Sequence, residues 1–335
     1  MQWLRTLLNT RLTNTDSGAS AVIVALMMVP IMILAALAID IGAMHADRQQ
    51  LQTGADAGAL AIAQDCARED CETTAATAQT MAEVNLNSGE ATGSISAFDP
   101  TAGEVTVETG TTREHWFAPI IGVNSTRLAA HSSARWGYPT GGTAVLPLTF
   151  SWCELEAQAG ITVVRDETGA VTGVDIPEST PDETIYFTKA SETECTGPSN
   201  NFLPGGFGWL TPSAQSCGKT DSIIDGWVGS DTGNNVPSIC TDAEFQKWVG
   251  KTVLLPIFDE YTGTGSGGEY RVFGYGAFTL TEYYFAAQYR SSTPPCGGAD
   301  RCIRGSFDRF VDLTEDFDYS PSGPRLGAAI VALTE

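Results

Sequence analysis

Residues 17–41 read SGASAVIVALMMVPIMILAALAIDI, and the fold turns on how they are read. Asp16 and Asp40 bound an uncharged run of 23 positions, 17 to 39. As a helix rising ~1.5 Å per residue the run covers about 34 Å, which exceeds the ~30 Å hydrocarbon layer of a bilayer. The stretch therefore predicts a transmembrane helix over residues 18–41. Pro30 falls at its middle, where neighbouring helices or a local backbone adjustment accommodate it in lipid. Arg5 and Arg11 precede the run, whereas Asp40, His45, Asp47 and Arg48 come after it, so the basic residues predict an inside N-terminus and an outside C-terminus. A cleaved signal peptide is the rival reading, since Ala36-Leu37-Ala38 has the A-x-A form and the two arginines make an n-region. Secretory apolar cores run ~7–15 residues, and this one is too long, which favours a retained anchor.

The rest of the chain falls outside the membrane on that reading. The whole chain, at 335 residues, leaves room for about two domains. With 42% hydrophobic and 17% charged residues over its full length, the chain suits a packed core. Lys plus Arg number 18 against 40 Asp plus Glu, a net charge of −22, and the whole excess lies beyond Gly42. Such a surface repels a phosphate backbone and argues against nucleic acid as a partner. His45, His115 and His131 are far apart and show no metal-ligand spacing, so no zinc or histidine-based catalytic site is expected.

Eight cysteines, at 66, 71, 153, 195, 217, 240, 296 and 302, all lie on the outer side. An even count there predicts disulfides in an oxidising compartment. Close spacing favours Cys66 with Cys71 and Cys296 with Cys302. For Cys153, Cys195, Cys217 and Cys240 the pairing stays open; nearest neighbours would join Cys153 to Cys195 and Cys217 to Cys240.

Beyond Ile41 the helical pattern continues to Ala63, with Met44, Leu51, Ala55, Gly58 or Ala59, and Ile62 on one stripe. The extension is rich in small residues, and Gly54 and Gly58 form a G-x-x-x-G. Two readings remain open together: a close contact with a partner helix, or the inner helix of one domain built from good helix formers. Residues 72–86 predict a second, polar helix, residues 94–98 and 104–109 a hairpin, and residues 127–136 a further strand. The breaker cluster Gly137-Tyr138-Pro139-Thr140-Gly141-Gly142-Thr143 is the expected boundary. After it the alternation predicts strands at 144–150, 161–164, 171–176, 184–188, 253–258, 270–280, 283–289 and 328–333, with irregular stretches at 191–222 and 228–241. The expected class is α+β: a cytoplasmic head (1–17), a transmembrane helix (18–41), a helical extension plus small β unit (42–136), and a β-rich, disulfide-stapled domain (144–335).

Chemistry-bearing motifs are scarce. Gly218-Lys219-Thr220 resembles the end of a phosphate loop, but the glycine required five residues earlier is Ser213. Asp308, Asp312, Glu315, Asp316 and Asp318 could hold calcium yet lack helix-loop-helix spacing, so a solvated acidic face is expected, as it is for Glu192 and Glu194. Paired carboxylates for glycoside hydrolysis are not singled out among 40 acids. Phe207, Trp209, Trp227, Tyr283, Tyr284 and Phe285 read as core.

The run Gly18-Ala19-Ser20-Ala21-Val22, the apolar helix, Ala38-Ile39-Asp40-Ile41-Gly42, Arg48-Gln49-Gln50-Leu51-Gln52 and Ala55-Asp56-Ala57-Gly58-Ala59-Leu60-Ala61 together resemble the TadE/TadG-like proteins of Flp (tight adherence) pilus assembly. Trp116-Phe117-Ala118-Pro119-Ile120-Ile121-Gly122-Val123 resembles, more loosely, a segment that family carries downstream of its helix. In the cleaved TadE type a glutamate stands five residues after the glycine; here Ile23 does, so the likeness is to the uncut TadG type. The Asp-x-Ser-x-Ser signature of a von Willebrand A domain does not occur. The resemblance implies a single-pass bacterial membrane protein, not an enzyme and without a cofactor, whose partners are the lipid bilayer and other pilus-assembly or pilin-like membrane proteins. Gly18, Pro30, Asp40, Gly42, Leu51, Gly54, Ala55, Asp56, Gly58 and Ala59 are its candidate membrane and assembly residues. The alternative is a membrane-anchored extracellular enzyme, ligand-binding protein or adhesin with its site in residues 144–335.

Overall fold

A computed structural model describes residues 17–68, 70–189, 191–212, 216–231, 235–263, 267–312 and 316–334. The orienting Arg5 and Arg11, the bounding Asp16, the phosphate-loop position Ser213 and the acidic Glu315 lie outside the described residues. The chain is α+β. Helix α1 (Ser17–Cys66) is followed by α2 (Thr74–Asn85), the strands β1 (Thr92–Asp99) and β2 (Glu104–Glu114), a 3-10 turn (Ala118–Ile121) and the long strand β3 (Ser125–Ala144). Then come β4 (Leu148–Ser151), α3 (Trp152–Glu156), β5 (Thr162–Arg165), β6 (Val171–Asp175), β7 (Glu183–Tyr186), β8 (Glu194–Thr196), β9 (Phe202–Pro204), β10 (Phe207–Trp209), β11 (Thr220–Ile223) and β12 (Trp227–Gly229). Helix α4 (Asp242–Gln246) precedes β13 (Lys251–Thr262), β14 (Glu269–Ala286), β15 (Tyr289–Arg290), β16 (Cys302–Asp308), β17 (Phe317–Ser320) and β18 (Ile330–Thr334).

Two compact units emerge. The first takes the described residues of Met1–Gly58 with Ala78–Ser94 and Glu108–His131; the second takes those of Ala59–Thr77, Ile95–Val107 and Ser132–Glu335. The first unit has a small core of its own. Leu51 meets Ala82, Leu86, Ala91, Leu128 and Ala130, with Met44 packed alongside. Mostly small side chains let backbones approach: a Cβ on Gly54 would stand 3.1 Å from the Met81 carbonyl and 3.3 Å from the Ala82 Cα of α2. Gly54 is thus where α1 accepts α2.

The second unit is built on a sheet in the order β10-β4-β13-β14-β16-β7, with β12 and β15 also on β14. β13 and β14 pair antiparallel from Lys251 with Leu280 to Thr262 with Glu269, and β4 joins β13 in parallel at Ile257 and Phe150. Aromatic rings fill this unit: Phe150 packs on Phe278 and Phe307, and Phe285 on Phe207, Trp209 and Phe245. Of the six aromatics read as core, Phe207, Trp209, Tyr283 and Phe285 are buried, Tyr284 is half-buried and Trp227 is exposed.

Two expectations change. Residues 137–143, read as a boundary, lie inside β3 and between two partners: Gly141 and Gly142 pair with β11 on one side and β17 on the other. Their glycines mark close approach, since a Cβ on Gly142 would collide with the Asp316 carbonyl and the Phe317 ring. The strands expected at 270–280 and 283–289 join as β14, with a register shift between Leu280 and Glu282 absorbing the break in pattern. The cysteines pair as Cys66–Cys71, Cys153–Cys195, Cys217–Cys240 and Cys296–Cys302.

Candidate functional site

The first unit holds the most informative geometry, and it begins where the uncharged run ends. From Val22 to Leu34 the large apolar side chains of α1 are more than half exposed, Leu26 at 69%. α1 is one helix long and apolar enough to cross a membrane, and it carries Gly18, Pro30 and Gly42 within it. Pro30 removes one N–H from the helical ladder, a loss that neighbouring helices or a local backbone adjustment make good in a membrane helix.

Asp40 reverses the pattern. It is buried while Ile39 and Ile41 beside it are exposed. Its carboxylate accepts three consecutive backbone N–H groups, from Trp116 (3.0 Å), Phe117 (2.9 Å) and Ala118 (2.7 Å). Those N–H groups open the 3-10 turn Ala118–Ile121 and have no partner within it, so the carboxylate caps the turn with charge-assisted bonds. The turn ends at Gly122, whose φ of 88° a side chain would strain. Further closure comes from the His115 N–H on the Asn124 carbonyl (3.0 Å) and from the His115 ring against Thr126 (2.8 Å).

Asp40, Met44, Asp47, Leu51, Gly54 and Gly58 succeed one another at spacings of four and three, which places them on one face of α1. Asp47 is buried and doubly held, by the Arg113 guanidinium (3.0 Å) and the Ser88 hydroxyl (2.7 Å). The Leu51 carbonyl accepts from Thr109 (2.9 Å), the Gln50 side chain from the Asn87 N–H (2.9 Å), and the Gln52 amide donates to the His131 carbonyl (3.1 Å). Leu51, Gly54, Ala55, Gly58 and Ala59 are buried, so this stripe is enclosed by the chain's own residues, whereas Asp56 stays near solvent on Gln52 (2.8 Å). Sequence reading named Asp40 and the stripe. It missed Asp47, Arg113 and Thr109, although the four-three spacing through Asp47 was there to be read.

Two buried carboxylates of the second unit, Asp259 and Glu154, have a structural reason. The bulge in β13 that skips Asp259 in its pairing with β14 turns this fully buried carboxylate onto Arg271 (Nε, 3.1 Å) and the Ser199 hydroxyl, while Glu260 approaches the same guanidinium (3.6 Å). Hydrogen bonding to Asp259 pushes the Arg271 pKa further up. Glu154 on α3 accepts the Gly206 N–H (2.7 Å), but burial pushes its pKa above the ordinary value of 4.5 and the charge of Glu183 adds to the shift. A cavity of about 230 Å³ is lined by Arg68, Tyr138, Asp175, Arg309 and Arg325, in which Arg309 is already held by Asp175 (3.1 Å). At Gly218 a Cβ would collide with the Val145 carbonyl, so Gly218-Lys219-Thr220 is packed on the chain's own backbone and cradles no phosphate. Among the described residues no three His, Cys, Asp or Glu side chains converge as a metal cluster. Asp308 spends its carboxylate on the Thr279 hydroxyl (2.5 Å).

No curated protein and no solved structure matches the chain. The uncharged helix, Asp40 and the enclosed small-residue stripe all fall in one stretch, residues 18–65, and that stretch matches the TadE/G-like Flp pilus-assembly family model, which makes it the TadE/G-like part of the chain.

Proposed function

We propose that this protein is a single-pass membrane component of Flp-type pilus assembly, without enzymatic activity. Residues 18–41 of α1 cross the bilayer, the N-terminus is cytoplasmic, and the residues from Gly42 onward stand outside the cytoplasm. The observation that carries this reading is the coincidence of the family match over 18–65 with an exposed apolar helix and a buried stripe immediately after it. Four disulfides in the second unit suit an oxidising, extracytoplasmic site.

Assembly partners meet the helix in the membrane. The stripe from Leu51 to Ala59 is enclosed within the chain, so the surface left for another helix is the exposed segment before Asp40, where Ser20, Ala21, Ala25 and Pro30 are the small or irregular positions. Deleting the gene and counting surface pili tests the role: loss of pili restored by the intact gene supports it, and normal piliation in the deletion strain contradicts it. Replacing Ala21 and Ala25 with Leu in the complementing gene should reduce co-purification with pilus-assembly membrane proteins while leaving membrane retention intact.

A further inference from the structure

We propose that residues 116–123 form a second membrane contact, a loop seated in the lipid interface beside α1. From Trp116 to Thr126 the chain carries no charged residue, although the protein as a whole is strongly acidic. Within it Trp116 (67%), Ile120 (86%) and Ile121 (64%) are exposed, and Phe117 and Val123 are partly so. Five large apolar side chains on one short loop make a patch that water does not favour.

The loop's position identifies what covers it. The three N–H bonds to Asp40 hold the start of the turn against the residue at which the 23-position uncharged run ends. If that run fills the ~30 Å core, Asp40 lies at the boundary of hydrocarbon and headgroups, and headgroups occupy only ~5–7 Å beyond it. Asp47 is seven residues farther, about 10 Å along the helix, and its pairing with Arg113 lies past that layer. The same Arg113 guanidinium lies 5.2 Å from the centre of the Trp116 ring. An indole under a guanidinium, in a loop that also exposes two isoleucines, matches the interfacial belt, where amphipathic rings sit at headgroup depth. Ile39 and Ile41, on either side of the Asp40 that holds the loop, are exposed as well. A lipid surface, and no separate groove-binding partner, fits this placement. The loop would fix the angle at which the first unit stands on the membrane.

The inference rests on α1 crossing the bilayer, and one experiment separates the two. The full-length chain and its Trp116→Phe variant are reconstituted into phosphatidylcholine vesicles whose acyl chains carry bromine near the carbonyl end or near the methyl end, then floated on a density gradient. The difference between the two proteins' fluorescence isolates Trp116. The expected result is that both float and that Trp116 loses most of its emission to the shallow bromines and less to the deep ones. Flotation with no loss of Trp116 emission, whether water or a second copy covers the ring, overturns the loop contact and leaves the helical anchor standing. Failure to float overturns both.

Discussion

Replacing Gly54 by Val tests the contact on which the first unit is built. The added Cβ would press on the backbone of α2, which cannot move aside as a side chain could, so overpacking should cost about 1–3 kcal/mol. Thermal unfolding of the first unit, followed by amide exchange over residues 78–94, should show it. Glu154→Gln makes the opposite case. The folded-state pKa of Glu154 lies above the unfolded value, so between the two the native state keeps a proton that the unfolded chain has lost. Its effect on stability is absent below the ordinary value of 4.5, becomes unfavourable as pH rises through the raised pKa, and persists at neutral pH. The amide can still accept the Gly206 N–H. The variant should therefore melt above the wild type at pH ~7 and show no such advantage at pH ~4, by calorimetry across that range. Asp40 was legible as a boundary because it is the first charge after 23 uncharged positions. Its role as a cap was not, because its donors are backbone groups more than 70 residues away and backbone N–H carries no sequence signal.

Elements divide along the same line. α1, α2, the hairpin β1 and β2, and strands such as β5, β6 and β13 obey local periodicity, and they stand close to where alternation and helical spacing place them. β3 does not: its seven-residue cluster of breakers reads as a linker, yet Gly141 and Gly142 are needed because β11 and β17 close on them from both sides. The short strands β8 to β12 lie in or beside stretches that read as irregular; β8 and β9 pair with each other over three residues, while β10, β11 and β12 pair with β4, β3 and β14 far along the chain. Disulfides hold this part together. Cys153 and Cys195 close a separation of 42 residues between α3 and β8. Replacing both by Ser frees the unfolded chain and should cost about 2–5 kcal/mol, read from the denaturation midpoint of the second unit in urea. The same change should leave the amide protection of Leu51 and Leu128 in the first unit unchanged.

At the scale of the whole molecule, membrane and assembly features concentrate in the N-terminal part. Residues 18–65 hold the family likeness, and the first unit presents the apolar helix, the Asp40 cap and the exposed loop. The second unit supplies the aromatic core and the four disulfides, and its buried charges are committed to structure, as Asp259 with Arg271 shows. The most direct test of the account is protease shaving of intact spheroplasts, with mass spectrometry of what remains in the membrane. Removal of peptides beyond Gly42, with a membrane-held fragment containing residues 17–39, is the predicted result. A chain recovered whole in the medium with an N-terminus near Ile39, or a cysteine-bearing part protected until the spheroplasts are lysed, would contradict it.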